Sequence, residues 1–293
     1  MQIPEMELPA ILDIPDKLLP FIYELNNYDY FLAHGGRGGG KSQSIGRIIL
    51  WICEQRTVRV CCGRETQNTI EDSVYKILAD LIAEYELDFD VFNNKIVHRR
   101  TGSTIIFRGF KEQGRVNIKG LEGVDILWID EAEAITKATL DIIVPTIRKA
   151  NAIVFFTMNR HVRKDAVYVE FANDPDCLTV KINYYDNKHC PENLIKKALK
   201  CKKKNPVEYD HIWEGNPLDQ AKDYLVSSSK LDKAAKLENI IKGNYKKIKC
   251  MAVDLSGNGG DLCVATLVES ISSIHFKATK REEWNEPDTD ITK

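Results

Sequence analysis

The sequence lacks any apolar stretch that approaches the ~20 consecutive residues needed to cross a bilayer, so no membrane-spanning helix and no membrane partner are expected. It also lacks net charge. The 41 basic and 43 acidic residues leave −2, which excludes a surface that is basic throughout and confines any nucleic-acid contact to a local patch. Eight cysteines are present, but none in CxxC spacing and none with histidines at zinc-site intervals, so no structural zinc is expected. Cys61 and Cys62 lie inside an apolar run and read as small buried hydrophobes in a reducing compartment. The first residues carry Glu5 and Glu7 and lack the basic, apolar, small-residue order of a secretory leader.

What is present is an ordinary globular balance, 43% hydrophobic and 29% charged over 293 residues, enough for one large or two modest domains. Four prolines in the first 20 residues predict an irregular arm or short helices. The apolar run at 30–33 leads into a glycine-rich stretch, after which Ile45, Ile48, Ile49 and Ile52 repeat at a helical period. Residues 57–63 read as a buried strand, 68–85 as a helix, and 95–99 with 104–107 as a hairpin turned at 101–103. Further strands are expected at 126–129 and 152–156, with a helix over 137–148 between them. Strands alternating with helices argue for an α/β fold with a parallel sheet and helices on its flanks. Beyond 184 the chain becomes basic and helical (192–204), then polar and lysine-rich (219–245), and ends in three successive strands at 247–255, 262–270 and 274–278.

Two motifs carry chemistry. Gly35-Gly36-Arg37-Gly38-Gly39-Gly40-Lys41-Ser42 fits GxxxxGK[ST], between an apolar run and an amphipathic helix as a phosphate-binding loop requires. Glycines let backbone N–H groups wrap phosphates, the helix N-terminus adds its positive dipole, Lys41 reaches the β and γ phosphates, and Ser42 ligates Mg²⁺. The second motif is the strand 126–129 ending in Asp130-Glu131. An acid at this position holds the Mg²⁺ shell, and an adjacent Glu can activate the attacking water. The tandem pair favours ATP hydrolysis and a P-loop NTPase of the RecA-like, additional-strand type. Arg37 inside the loop is placed to stabilise charge on the transferred phosphoryl group, or is a solvent-facing loop residue. Asn159, after the strand at 152–156, is a candidate γ-phosphate sensor, or turn chemistry alone.

The chain resembles the large subunit of tailed-bacteriophage terminases, the DNA-packaging motor. Besides the loop and the tandem acids, the likeness rests on Gly63-Arg-Glu-Thr-Gln-Asn68, on Ile118-Lys-Gly-Leu-Glu-Gly-Val-Asp125 and on Glu131-Ala-Glu-Ala-Ile-Thr136. It continues through Pro145-Thr-Ile-Arg148, Thr157-Met-Asn159, Asn183-Tyr-Tyr-Asp-Asn187 and Trp213-Glu-Gly215. The resemblance implies an ATPase domain at 1–183, a helical linker or lid at 184–244, and the first strands of an RNase H-like nuclease at 245–293. It implies Lys41, Ser42, Asp130 and Glu131 as the ATP and Mg²⁺ site, Arg37 as the loop arginine, and Asn159 in the coupling motif. Its partners would be double-stranded DNA, the capsid portal, a small terminase subunit and further copies in a ring, in the cytoplasm of a bacterial host.

Asp254 closes the first C-terminal strand, where the family's two-metal nuclease keeps a ligand. The sequence stops at Lys293, and Asp261, Asp288 and Asp290 do not match the later ligands, so the nuclease half is expected to be incomplete and inactive alone. Lysines at 196–204 and 242–249 are the basic concentrations available for DNA. The alternative to a packaging motor is a prophage remnant that binds ATP without motor work.

Overall fold

The structure, a computed structural model, describes residues 9–66, 74–112, 115–116, 121–218, 249–254, 263–270 and 276–284. The chain divides into two compact units, Met1–Tyr224 and Leu225–Lys293.

Alternating apolar side chains build the sheet of the first unit. In chain order its strands are β1 (Tyr30–His34), β2 (Arg59–Thr66), β3 (Phe89–Phe92), β4 (Lys95–His98), β5 (Thr104–Glu112), β6 (Arg115–Val116), β7 (Ile126–Asp130), β8 (Ile153–Met158) and β9 (Cys177–Lys181). Phe31, Val60, Cys62, Trp128 and Phe155 enter one buried cluster, while their neighbours Leu32, Cys61, Leu127, Val154 and Phe156 enter the other. Both faces are therefore covered, as a parallel sheet requires. The strand order is β3-β4-β5-β2-β7-β8-β1-β9, with β6 paired to β5. From β5 to β9 the strands run parallel, and the β3-β4-β5 meander at the edge is antiparallel. β8 lies between β1 and β7, so one strand separates the glycine loop from the tandem acids. That is the additional-strand arrangement expected from the sequence.

The helices follow from the same patterning. After the single turn α1 (Pro20–Tyr23), α2 (Lys41–Gln55) buries Ile45, Ile48, Ile49 and Ile52 against the sheet. Helix α3 (Lys76–Glu84) packs on α2 with Leu78 and Leu81 inward. Residues 67–73, where the sequence predicts the start of this helix, lie outside the described residues. Helix α4 (Lys137–Ile143) is shorter than the predicted 137–148 and passes into a 3-10 turn, Val144–Thr146. Pro145 explains the difference, because its ring has no N–H and collides with the carbonyl four residues back. Then come α5 (Ala166–Phe171), α6 (Glu192–Lys204) and α7 (Pro206–Ile212). The last two cover a small separate cluster of Tyr184, Cys190, Ala198, Tyr209 and Trp213. Both helices belong to the first unit. Among the described residues, no helix is long and apolar enough to cross a membrane.

In the second unit β10 (Lys249–Asp254), β11 (Cys263–Ser270) and β12 (Phe276–Trp284) form an antiparallel sheet in sequence order. These are the three successive strands read from the sequence. Asp254 is the last residue of β10 and pairs with Val264. Asp261, Asp288, Asp290 and lysines 242–248 lie outside the described residues.

Candidate nucleotide site

The glycine loop connects β1 to α2 and sits at the C-terminal edge of the sheet, where α/β proteins bind ligands. Gly40 enters the helix with φ +75°, a left-handed conformation that glycine adopts without penalty. Among the described residues, the backbone N–H groups of Gly40, Lys41 and Ser42 meet no protein acceptor. Free donors at a helix N-terminus are an anion site ready for use.

The loop is held from outside by residues far along the chain. Asn183 Oδ1 accepts from Gly36 N at 2.7 Å, Asn187 Nδ2 donates to Gly38 O at 2.8 Å, and Arg37 N donates to Ile212 O at 2.8 Å. A Cβ on Gly36 would lie 2.0 Å from the carbonyl oxygen of Trp213, so only glycine permits this approach. Asn183 is fixed in turn, donating to Tyr185 Oη and to Glu214 Oε2, which also receives Tyr185 Oη. The segments Asn183-Tyr-Tyr-Asp-Asn187 and Trp213-Glu-Gly215 thus act as a splint on the loop.

Lys41 is buried and donates to Gly35 O at 3.1 Å, Gly36 O at 2.7 Å and Asn159 Oδ1 at 2.9 Å. Burial lowers its pKa to about 8, against the opposing pull of Glu133 and Asp130. An ammonium so held gains strongly from an incoming anion. Across the edge, Asp130 Oδ1 accepts from Ser42 Oγ at 2.7 Å and from Thr157 Oγ1 at 2.6 Å, and Trp128 Nε1 donates to Thr157 Oγ1 at 3.0 Å. These hard oxygen donors, one hydroxyl and one carboxylate side by side, fit Mg²⁺. That ion takes one or two protein carboxylates and fills its shell with waters and phosphate oxygens.

Arg64, at the end of β2, is the residue that sequence reading did not assign. Its Nη2 and Nε donate to Asp130 Oδ2 at 2.5 and 3.2 Å, and its Nη1 pairs with Glu131 Oε2 at 3.0 Å. One guanidinium therefore orients both acids, in the forked geometry that arginine favours. Glu131 itself is half-exposed and adopts φ +52°, a strained backbone for a non-glycine residue. Arg64→Ala would leave Asp130, 3% exposed, without its cation. Removing one partner of a buried pair costs about 3 kcal/mol or more, so thermal denaturation is expected to shift down by roughly 6–12 °C, with Arg64→Lys losing less.

Glu133 is the other unassigned residue. Its Oε2 accepts from Asn159 N at 3.2 Å, so it steadies the asparagine that steadies Lys41. Burial raises its pKa to about 7, partly offset by the backbone donors. Between the ordinary carboxylate value and 7, the folded chain keeps a proton that the unfolded chain has released. This group therefore makes stability fall as pH rises through that window. Glu133→Gln is expected to remove that slope, measured as the urea midpoint between pH 5 and 7.5.

Of the residues singled out in the sequence, the structure brings together Gly35 to Ser42, Asp130 and Asn159, with Glu131 joined through Arg64. Arg37 is exposed at the loop, and its guanidinium meets no partner among the described residues. Asp254 lies in the second unit.

A model of the phage terminase large subunit family matches residues 27–216, which includes every residue of this site. The chain belongs to the phage terminase large subunit family. It is 26% identical to the terminase large subunit of Bacillus phage SPP1 over 205 residues, 64% of this chain and 49% of that one. The chain thus spans about half the length of that curated relative. Among solved structures, the large terminase of a thermophilic bacteriophage shares its fold at a TM-score of 0.61 and 12% identity, covering 93% of this chain and 68% of the other. The HK97 bacteriophage large terminase does so at 0.56 and 12% identity, covering 95% and 64%. The thermophilic phage's terminase has also been solved with ATP-γ-S and with ADP.

Proposed function

We propose that this large terminase chain hydrolyses ATP to drive double-stranded viral DNA into a procapsid. The observation that carries the reading is the bond of Ser42, next to the buried Lys41, to Asp130 across the sheet edge, with Glu131 held beside it by Arg64. The nucleotide complexes of the thermophilic phage's terminase support it.

In this reading Lys41 and the N–H groups at the start of α2 take the β and γ phosphates. Mg²⁺, held by Ser42 and Asp130, would neutralise charge between those phosphates. Glu131 accepts the proton of a water whose oxygen bonds to the γ phosphorus as the bond to the β-phosphate oxygen breaks. Arg37 and Lys41 meet the charge that develops on the transferred group. Asn159, bonded to Lys41, senses whether the γ-phosphate is present.

Residues 1–183 would form the ATPase domain, 184–244 its linker or lid, and 245–293 the opening strands of an RNase H-like domain in which Asp254 holds a metal-ligand position. A ring of copies on the portal, fed DNA by a small terminase subunit in the bacterial cytoplasm, is the assembly this activity requires. The test is Mg²⁺-dependent phosphate release from ATP by the purified chain, with and without double-stranded DNA. Stimulation by DNA is expected. Turnover indifferent to DNA would remove the translocase, and absence of ATP binding would remove the site.

A further inference from the structure

Beside the loop lies a cavity of about 170 Å³ that shares Arg37 and Asn159 with the nucleotide site and extends beyond it. A single water needs about 10–15 Å³ by the same kind of measure, so there is room for a small polyatomic ion with its waters. Arg37, Glu133, Asn159, Arg160, His161 and His211 line it. Two of these touch the phosphate-binding apparatus. Arg37 is part of the loop, and Asn159 accepts from Lys41. The cavity therefore starts where the reach of the loop lysine ends.

Its lining is mixed in a specific way. Arg37 offers a guanidinium without a partner among the described residues, and the side-chain NH₂ of Asn159 is likewise unspent, because Lys41 engages only its oxygen. Arg160 forms a fixed wall. It donates to Asp165 Oδ2 at 3.0 Å and to the carbonyls of Val162 and Arg163 at 3.2 Å each, and lies 3.4 Å over the ring of Tyr168. His211 Nδ1 bonds to the carbonyl of Asn216 at 2.9 Å. Since a carbonyl only accepts, Nδ1 carries the proton and Nε2 of the neutral ring is left as an acceptor. Glu133 supplies a further oxygen, and burial raises its pKa to about 7, so near neutral pH it can take up or give a proton.

A lining that holds both donors and proton acceptors suits an oxyanion that still carries an O–H. A phosphodiester has no such hydrogen to give, and the γ-phosphoryl group of ATP has largely lost its own at neutral pH. Inorganic phosphate has one, because hydrolysis leaves it with an oxygen taken from water. We propose that this cavity is a second oxyanion site that receives the inorganic phosphate released from the nucleotide. The proposal rests on the ATPase reading given above.

The test is equilibrium binding of inorganic phosphate to the full chain, followed by ³¹P NMR with ADP present and absent. Sulfate at equal ionic strength, which has no proton to donate at pH 7, serves as the control. Phosphate is expected to bind beside ADP without displacing it, and at least 5-fold more tightly than sulfate. His161→Ala/His211→Ala should weaken phosphate at least 5-fold and leave ADP affinity unchanged, while Lys41→Ala should retain phosphate. Competition between phosphate and ADP, equal affinity for sulfate, or phosphate binding unaffected in the histidine variant would each overturn the proposal. Failure of ADP to bind the wild-type chain would instead indict the nucleotide site, with the phosphate titration still deciding the cavity.

Discussion

Lys41→Ala is expected to raise the dissociation constant for ATP at least about 30-fold, since truncating one member of a buried charge pair costs about 2–5 kcal/mol and each 1.4 kcal/mol is tenfold. The loss should not come from unfolding. Lys41 is buried with its pKa pulled down to about 8, so the folded chain bears the cost of an ammonium withdrawn from water. Alanine removes that cost but leaves the oxygens of Gly35, Gly36 and Asn159 without their donor. The two effects oppose one another, and thermal stability is expected to change little. Titration calorimetry beside a thermal melt measures both quantities. ATP affinity within a few-fold of wild type would refute the loop as the triphosphate site.

Glu131→Gln has the opposite signature. The amide keeps the size of the side chain and can still accept from Arg64 Nη1, which lies 3.0 Å from the carboxylate in the wild type. ATP affinity should therefore hold within a few-fold. Glutamine cannot take a proton from water, and loss of a positioned general base costs about 10²–10⁴-fold in rate. Single-turnover hydrolysis with prebound ATP separates the two quantities. Full turnover in the variant would move the base elsewhere, and Glu133 is the carboxylate to examine next, because it also lines the space beyond Asn159.

The parts of this site that are legible in the sequence are those whose chemistry is local. A glycine loop needs an apolar strand before it and an amphipathic helix after it, and all three lie within residues 30–55. Asp130 and Glu131 stand at the end of a strand whose five residues are all buried, which apolar patterning alone reveals. Arg64 is different. It is 66 residues from Asp130, and their meeting depends on β2 being placed beside β7. No periodicity contains that pairing, although Arg64 stands within a stretch that resembles the family. Glu133 shows the same limit, because it becomes unusual only once folding takes its carboxyl out of water beside Asn159. Strand β9 has no clear signature in the pattern either. Its five residues are mixed in character, and it is defined by parallel pairing with β1. Helix α4 reads too long in the sequence because its apolar period continues past Pro145, where backbone chemistry overrides side-chain pattern.

The splint on the phosphate loop has a mechanical consequence. Gly36, Arg37 and Gly38 each give a backbone group to Asn183, Ile212 or Asn187, of which the asparagines precede α6 and Ile212 ends α7. A loop tethered in this way shifts relative to those helices only by breaking these hydrogen bonds. A displacement of the loop is therefore expected to carry the lysine-bearing helix α6 with it, because two of these bonds run to the turn that leads into that helix.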